Sequence, residues 1–329
     1  SSSDLYRRTE TIFCVDRQAI TYAHMLIPSI SNETNQLLCV LLGVADQSGS
    51  TPTYDEAYDP KSRLHIANGT YPKEIDLIHQ LDLMQEALQK HGVDVRRPKI
   101  VPNCNQIFSR DIAFVVDHYL LLSNILPARN QEINAIQFII GQIPSENILS
   151  IPNHVHVEGG DVVVHNEYLF VGYYNQSDYA NLVTARTNAN ALTYLSEQFP
   201  EKEVIGFELH KSNDDPYANT LHLDCCFQPF GKNLAIICPD GFMHKEDVLW
   251  IENHFGAENL FVTDKQSMFE MQCNLLSIRS DLVISDPTFS EVNNWLNSKG
   301  IEVISVAYDQ ISKQGGLFRC TTLPLIRKA

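Results

Sequence analysis

The sequence predicts an α/β fold in which ββαβ-type units, each with a strand pair, a helix and a further strand, repeat around an axis. Short apolar stretches occur in pairs separated by tight turns, such as VDHY (116–119) and HNEY (165–168). Single helical patterns alternate with these pairs at fairly even spacing. A doubly wound parallel sheet is the alternative, but adjacent strands joined by short turns fit that architecture poorly.

The first unit begins at QLLCVLLGV (36–44), the first clear buried strand. The polar stretch QSGSTPTYDEAYDPKSR (47–63) predicts a long surface loop, because it combines glycine, two prolines and several acids. Long loops often act as lids, so we expect its acidic part, Tyr54 to Asp59, to close over a site. Apolar residues three and four apart then predict a helix over 72–92 that ends at Gly92, and a strand follows.

The later units repeat this order to the end of the chain. We predict strands at 112–117 and 119–124, a helix at 128–142, strands at 161–166 and 168–172, a helix at 187–199, a strand at 233–242, a helix from 245, a strand at 260–263, a strand at 281–286, a helix at 290–300 and a strand at 301–306. We expect residues 1–35, which begin with three serines, to be an N-terminal tail that leads into a single domain at 36–329.

The composition is that of an ordinary globular protein. The chain has 329 residues, 44% hydrophobic and 19% charged, which is enough to bury a substantial core. No stretch is long and apolar enough to cross a bilayer, and the first residues lack the apolar run of a secretory signal, so a cytoplasmic location is expected. Eight cysteines without a CxxC pair favour reduced thiols over a disulfide framework or a zinc finger.

The charge balance restricts the ligands. With 24 basic and 40 acidic side chains, the formal net charge is -16. Nucleic acid is therefore excluded as a partner, because neutralising phosphates requires the opposite balance. A small cationic substrate would be attracted, although acidity also simply maintains solubility. The sequence leaves a homo-oligomer open.

Polar residues interrupt the apolar pattern at two places in the first half of the chain. Asp111 precedes an apolar strand, where it either pairs with Arg110 or binds a cation. In HVHVEGGDVVVH (154–165), strand alternation would place both histidines and Glu158 on one face. That trio suggests either a metal site or a carboxylate that orients a catalytic histidine, and the Gly-Gly pair would allow a close approach.

Two further polar stretches lie in the second half. In LHLDCC (221–226), His222 and Asp224 share one face, and the two cysteines are expected to be buried thiols. Cys320 follows a Gly-Gly pair and Arg319 in GGLFRC (315–320) and precedes two threonines. These neighbours suggest polar, electropositive surroundings, which favour the thiolate form of cysteine.

Cysteine, histidine and an acid that lie far apart in sequence can converge as nucleophile, proton carrier and orienting group. A cysteine hydrolase or transferase is therefore the first hypothesis. Asp111 and Asp224 then require a function of their own. A guanidinium group provides one, because this planar cation is rich in N–H donors and two carboxylates can hold it.

The ordered set NQIFSRD, LPARNQE, VEGGDVVV, ARTN, LHLD and GGLFRC resembles the guanidino-group-modifying superfamily of arginine deiminases, amidinotransferases and dimethylarginine dimethylaminohydrolases. These motifs run from Asn105 to Cys320, about two-thirds of the chain, in the order of the family. The resemblance implies a pentein fold, a five-bladed α/β propeller with a central active site. It implies that the reaction needs no metal ion and no organic cofactor.

The resemblance also implies roles for eight residues. Three are catalytic: the nucleophile Cys320, the general acid and base His222, and Glu158, which orients His222. Five bind substrate: Asp111 and Asp224 at the guanidinium, and Arg129, Arg186 and Asn105 at the amino-acid end. Arg319 occupies a position where deiminases and amidinotransferases commonly have histidine, and we expect it to lower the pKa of the neighbouring thiol.

The second aspartate favours an unmethylated substrate. Dimethylarginine hydrolases typically lack an acid at the position of Asp224, and methyl groups would remove N–H donors and leave this carboxylate unpaired. We therefore expect a hydrolase that converts arginine or a relative into ammonia and a ureido product such as citrulline. The alternatives are an amidinotransferase, a dimethylarginine or citrulline-type hydrolase, and a pentein module without activity.

Overall fold

The computed structural model describes residues 25–329, and the strands in this part of the chain form small sheets. The strands are β1 (Leu37–Leu42), β2 (Asp94–Arg96), β3 (Ala113–Val116), β4 (Tyr119–Leu122), β5 (Ile148–Ser150), β6 (Val162–His165), β7 (Tyr168–Tyr173), β8 (Glu203–Glu208), β9 (Phe227–Phe230), β10 (Leu234–Ile237), β11 (Leu260–Val262), β12 (Leu276–Arg279), β13 (Leu282–Ser285), β14 (Glu302–Ser305) and β15 (Thr322–Arg327). Most of their residues are apolar and buried, as expected for strands covered on both faces.

Five three-stranded sheets share one topology. Their orders are β15-β1-β2, β3-β4-β5, β6-β7-β8, β9-β10-β11 and β12-β13-β14. In each sheet the middle strand is antiparallel to the first strand and parallel to the third. The last strand of the chain, β15, pairs with β1 and completes the first sheet. The repeated ββαβ-type unit predicted from the sequence is therefore confirmed.

One or two helices connect the parallel strands of each sheet, and three short helices connect one sheet to the next. They are α1 (Pro60–Ala67), α2 (Glu74–Lys90), α3 (Ser109–Ile112), α4 (Asn130–Asn134), α5 (Gln137–Ile140), α6 (Asn190–Gln198), α7 (Lys245–Phe255), α8 (Lys265–Phe269), α9 (Ser290–Ser298) and α10 (Asp309–Ser312). The longest, α2, buries Leu77, Leu81, Met84 and Leu88 along one face. Between residues 25 and 329, none of the helices combines the length and apolarity needed to span a membrane.

Two helices differ from the sequence prediction. The loop predicted over 47–63 ends early, because Asp59 caps α1 by accepting a hydrogen bond from the backbone N–H of Ser62 (2.8 Å). Pro60 occupies the first helical position, which tolerates proline. The helix predicted over 128–142 is divided into α4 and α5, with a short 3₁₀ turn, Pro127–Arg129, before them.

The packed domain begins before Gln36. Residues 1–24 of the expected tail lie outside the described residues, but Leu26 and Ile30 are already buried. The backbone N–H of Ile30 donates to the carbonyl of Asp117 (2.8 Å), at the turn between β3 and β4. The segment that precedes β1 therefore packs against the sheets, and a domain boundary at residue 36 lies too late in the chain.

Candidate active site

A cavity of about 790 Å³ collects most of the residues that the motifs single out. Those that line it are Asn105, Asp111, Arg129, Arg186, His222 and Cys320. Glu158 and Asp224 lie behind this wall, where Glu158 contacts His222 and Asp224 approaches Cys320. The structure thus brings all eight predicted residues to one place, although their roles stay predictions.

The backbone around the two acid-bearing motifs is irregular. Strands were predicted for HVHVE and LHLD, but residues 152–158 form no strand, and Gly159–Asp161 and Leu223–Cys225 are single 3₁₀ turns. The carboxylate of Asp161 accepts a hydrogen bond from the backbone N–H of Leu223 (2.9 Å) and joins the two turns. A Cβ atom on Gly160 would lie 2.6 Å from the ring of His222, so the Gly-Gly pair does allow a close approach.

The histidines of the first motif do not share a face with Glu158. His154 is exposed, and His156 places Nδ1 3.0 Å from the hydroxyl of Tyr179. Glu158 instead turns into the interior. The interpretation of His154, His156 and Glu158 as one metal site is therefore wrong, because it depended on a strand that does not form.

His222 and Glu158 form a buried acid–base pair. Their Nε2 and Oε2 atoms are 2.8 Å apart, and His222 Nδ1 lies 3.8 Å from an oxygen of Asp111. Burial would raise the pKa of Glu158, but Arg186 and the hydrogen bond from His222 outweigh it and lower the pKa to about 2. Burial opposes a charge on His222, yet Asp111, Asp161 and Glu158 raise its pKa above the ordinary value. The imidazolium form can therefore act as a general acid.

The two predicted substrate arginines bind these acids. Arg129 donates from Nη1 to Asp111 (2.6 Å), and Arg186 donates from Nη1 to Glu158 (3.2 Å). Asp111, Glu158 and His222 place ligand-type atoms within 4.8 Å of one another. Because the two arginines already supply positive charge to both carboxylates, this cluster suits acid–base chemistry better than a metal ion. Both arginines reach the cavity, but their guanidinium groups are largely occupied.

The nucleophile candidate is held by a residue that the sequence prediction missed. Asn274 donates from Nδ2 to Cys320 Sγ (3.2 Å) and accepts the backbone N–H of Cys320 (3.2 Å) and of Arg319 (3.0 Å) at Oδ1. Its side chain is fully buried. The available signal was a polar residue directly before the apolar stretch that becomes β12.

The surroundings of Cys320 are not electropositive. Burial raises the pKa of its thiol, and Asp224, Cys225 and Asp111 raise it further, with Asp224 Oδ1 only 4.0 Å from Sγ. This arrangement therefore favours the thiol over the thiolate. The expectation drawn from Arg319 and the two threonines is wrong, because these neighbours in sequence do not direct positive charge at the sulfur.

Arg319 lies behind the site and does not line the cavity. It is fully buried, and it donates from Nη1 to Asp224 Oδ2 (2.6 Å) and from Nη2 to Glu33 Oε1 (3.0 Å). Its charge offsets part of the Asp224 charge at the sulfur, but the expected lowering of the Cys320 thiol pKa below its ordinary value does not occur, because the net effect of the surroundings raises it. Its positive charge is bound to the two carboxylates.

Each carboxylate predicted to bind the substrate keeps one oxygen for a further donor. Asp111 Oδ2 accepts from Arg129, while Oδ1 has no hydrogen-bond partner among residues 25–329. Asp224 Oδ2 accepts from Arg319, while within the described part of the chain the only donors to Oδ1 are the weakly donating thiols of Cys225 (3.7 Å) and Cys320 (4.0 Å). Two buried acceptors beside a thiol are thus available to a cation with N–H groups.

The mouth of the cavity includes much of the acidic loop. Tyr58 and Asp59 line it, and the carbonyl of Tyr58 accepts a hydrogen bond from Arg186 (3.1 Å). On the same wall, Asn105 donates from Nδ2 to Gln314 Oε1 (2.8 Å). The loop is therefore placed at the site, and its closure over a substrate stays a prediction.

The fold and these motifs define a guanidino-group-modifying enzyme of the pentein superfamily. A family model described as N,N dimethylarginine dimethylhydrolase, eukaryotic, matches residues 71–327, and the chain belongs to this family.

The individual relatives include an uncharacterised protein and an arginine deiminase. An uncharacterised protein, YkgA of Bacillus subtilis, is 30% identical over 246 residues, 74% of this chain and 77% of the relative. An arginine deiminase of Bacillus cytotoxicus is 24% identical over 309 residues, 80% of this chain and 70% of the relative.

Solved structures confirm the fold. The N-terminal domain of ArgZ, a cyanobacterial arginine dihydrolase, has a TM-score of 0.72 at 17% identity, with 88% of this chain and 98% of that chain covered. An inosamine-phosphate amidinotransferase of Streptomyces griseus has a TM-score of 0.69 at 16% identity, with 92% and 98% covered. Since both identities are low, the two structures support the pentein fold and leave the substrate open.

Proposed function

We propose that this protein hydrolyses the guanidino group of arginine or an arginine derivative through a covalent adduct on Cys320. The observation that carries the proposal is the pair of acceptor oxygens, one on Asp111 and one on Asp224, beside the thiol. A guanidinium group would donate one N–H to each oxygen and present its central carbon to the sulfur.

Binding of the cation activates the nucleophile. The negative charges of Asp111 and Asp224 raise the pKa of the Cys320 thiol in the free protein, and a bound guanidinium neutralises them. The thiol then releases its proton to water in the cavity, and the thiolate forms a bond with the guanidino carbon. In the tetrahedral centre that results, the imidazolium of His222 donates a proton to the departing nitrogen. The C–N bond breaks and leaves a thiouronium adduct.

Water completes the reaction. His222, now neutral, accepts a proton from a water molecule that attacks the adduct carbon, and Glu158 stabilises the imidazolium that forms again. The C–S bond of the second tetrahedral centre then breaks, the C=O bond forms, and the hydroxyl proton of that centre returns to the Cys320 sulfur, which regenerates the thiol. The product is a ureido compound, which is citrulline if arginine is the substrate.

Because Arg319 pairs with Asp224, a methylated arginine is no longer disfavoured as a substrate. The sequence argument against methylated arginine assumed that Asp224 would be left unpaired, but Arg319 already binds one of its oxygens (2.6 Å). Each aspartate then needs a single N–H. A guanidinium with both methyl groups on one terminal nitrogen still offers donors on its other two nitrogens. Dimethylarginine, the substrate that the family description names, is therefore the second candidate.

The test compares three substrates with one detection method. L-Arginine, Nω-monomethyl-L-arginine and Nω,Nω-dimethyl-L-arginine are incubated separately with the wild type, with Cys320→Ala and with the buried-cysteine control Cys39→Ala. Mass spectrometry then identifies the amine released and the ureido product. We expect citrulline from at least one substrate with the wild type and Cys39→Ala, and none with Cys320→Ala.

Two results would contradict the proposal. One is the absence of both product and Cys320 adduct with all three substrates. The other is an adduct that persists in water and is discharged only by an added amine such as glycine, because this would define an amidinotransferase.

A further inference from the structure

Glu33 reaches the interior from the segment that precedes β1. Asn32 Oδ1 accepts the backbone N–H groups of Thr34 (3.0 Å) and Asn35 (2.7 Å), which forms a tight turn around Glu33. The backbone N–H of Glu33 donates to the carbonyl of Val164 (3.0 Å) in β6. The turn and this strand contact fix the direction of the Glu33 side chain, which is only 4% exposed.

The Glu33 carboxylate connects two buried arginines behind the site. Its Oε1 atom accepts from Arg319 Nη2 (3.0 Å) and from Arg110 Nη1 (3.3 Å). Burial would raise the pKa of Glu33, but Arg110, Arg319 and Arg327 outweigh it and lower the pKa to about 2. Glu33 is therefore charged at neutral pH, and it shares the charge of Arg319 with Asp224.

This sharing determines how Asp224 faces the cavity. Arg319 binds Asp224 through Nη1 only, because Nη2 is occupied by Glu33 and by the carbonyl of Val162 (2.6 Å). The second oxygen of Asp224 thereby stays directed at Cys320. Without Glu33, Nη2 would keep its hydrogen bond to the Val162 carbonyl, but its second N–H would be free to bind Asp224, and a two-point pair would withdraw that oxygen from the substrate.

We propose that Glu33 is a positioning residue of the guanidinium site: through Arg319 it keeps one oxygen of Asp224 available for the substrate. The substrate part of this inference rests on the proposed function. Glu33 lies outside residues 71–327, where the family model matches, so the inference concerns a segment that this match does not cover.

The first test measures the reactivity of Cys320 without any substrate. Alkylation by iodoacetamide is followed against pH for the wild type, Glu33→Gln and Glu208→Gln. Glu208 is a matched control, because it is also buried and is paired with a different cation, His244 (2.9 Å). The charged or titratable groups around the thiol include Asp111, Asp224, Cys225 and Arg110, together with His222 in the lining of the same cavity and Arg319 bound to Asp224. Loss of the Glu33 charge leaves Arg110 and Arg319 less neutralised, so we expect the alkylation midpoint of Glu33→Gln to fall by about one pH unit.

The second test uses steady-state kinetics. We expect the KM for the best guanidino substrate to rise roughly tenfold in Glu33→Gln, because removing one partner of a buried charged hydrogen bond weakens an interaction by about this factor. The kcat should change less than about threefold. Glu208→Gln should keep both constants. Glu33→Asp retains the charge, so it should restore the wild-type alkylation midpoint.

A double-mutant cycle separates positioning from general destabilisation. If Glu33 acts through Arg319, adding Glu33→Gln to Arg319→Gln should change KM little further, whereas independent effects would multiply. If Glu33→Gln does not fold, Arg319→Lys is measured instead. Lysine keeps the charge but lacks the planar fork by which Arg319 donates to both Asp224 and Glu33. The KM of Arg319→Lys should therefore also rise.

The outcomes are distinct. A Glu33→Gln variant with the alkylation midpoint and KM of Glu208→Gln, multiplicative effects in the cycle, or a wild-type KM in Arg319→Lys would each overturn the positioning role. If the wild type converts no guanidino compound, the proposed function fails, and the alkylation midpoint still decides the role of Glu33.

Discussion

Replacing Asp224 with asparagine should make the Cys320 thiol more acidic while weakening substrate binding. The substitution keeps the size of the side chain and removes its negative charge. Because Asp224 Oδ1 lies 4.0 Å from Sγ, this charge opposes formation of a thiolate in the free protein. The same charge favours the bound guanidinium, so one substitution should move the two properties in opposite directions.

The distances give the size of the effect. A full unit charge 4.0 Å from the sulfur contributes about 4 kcal/mol at an effective dielectric constant of about 20, or about three pH units. The guanidinium of Arg319, 2.6 Å from the other carboxylate oxygen, cancels most of this field. We therefore expect the thiol pKa to fall by on the order of one unit in Asp224→Asn.

Alkylation and kinetics measure the two effects separately. The rate of Cys320 alkylation by iodoacetamide is recorded against pH for the wild type, Asp224→Asn and Asp281→Asn, with peptide mass spectrometry to identify the alkylated cysteine. Asp281 is an exposed control that pairs with Arg279. We expect a lower midpoint only in Asp224→Asn, together with a KM that rises roughly tenfold to a hundredfold.

An unchanged or higher midpoint in folded Asp224→Asn would refute the reasoning, since it would show that the Asp224 charge does not act on the thiol. An unchanged KM would refute the role of Asp224 in holding a guanidinium.

Three further predictions concern the catalytic residues and the acid stability of the fold. Cys320→Ala should abolish turnover and keep the melting temperature of the wild type; measurable turnover would exclude Cys320 as the nucleophile. Glu158→Gln should lower kcat by about 10²- to 10⁴-fold and lower the pKa of His222 in the pH–rate profile, because the carboxylate that stabilises the imidazolium is lost; an unchanged profile would contradict this. Burial and His254 lower the pKa of His165 in the folded protein to about 4. As the pH falls from about 6.5 to 4, the unfolded chain therefore binds a proton at this histidine before the folded protein does, and folding stability is lost. His165→Phe should reduce this loss, measured as the difference in melting temperature between pH 7 and pH 4, and an equal loss in both proteins would contradict the assignment.

The fold could be predicted because its signals are local. The stretch around β3 and β4 contains two apolar strands and a tight turn within twelve residues, and such hairpins recur along the chain. The pairing of β15 with β1 joins the two ends of the domain and has no comparable local signal. The family resemblance implied a five-bladed propeller but did not identify this strand pair.

The residues that gather at the candidate site could be named from the sequence, but not their local structure. The alternation in HVHVE has the period of a strand. No strand forms there, because tertiary contacts outweigh this local preference: Gly160 packs against His222, and Asp161 binds the backbone of Leu223. These contacts join residues about sixty positions apart, so a pattern read within a short window could not reveal them.

The electrostatics of the site could not be predicted, because they depend on ion pairs between residues that lie far apart in sequence. Arg319 precedes the nucleophile, yet its partners are Glu33, 286 residues away, and Asp224, 95 residues away. From sequence alone, the charge next to the cysteine suggested a lowered thiol pKa. The two side chains point in different directions, because the sulfur faces the cavity while the guanidinium is buried behind it. Adjacency in sequence therefore did not predict the thiol pKa.

The most direct test of the central claim is the mass of the intact protein, quenched in acid during turnover of L-arginine or a methylated arginine. We expect a fraction of the protein to gain the mass of the substrate minus that of the departing amine. Peptide mapping should locate this adduct on Cys320, and Cys320→Ala should not form it. Turnover to a ureido product without any such adduct, or an adduct on another cysteine, would contradict the central claim.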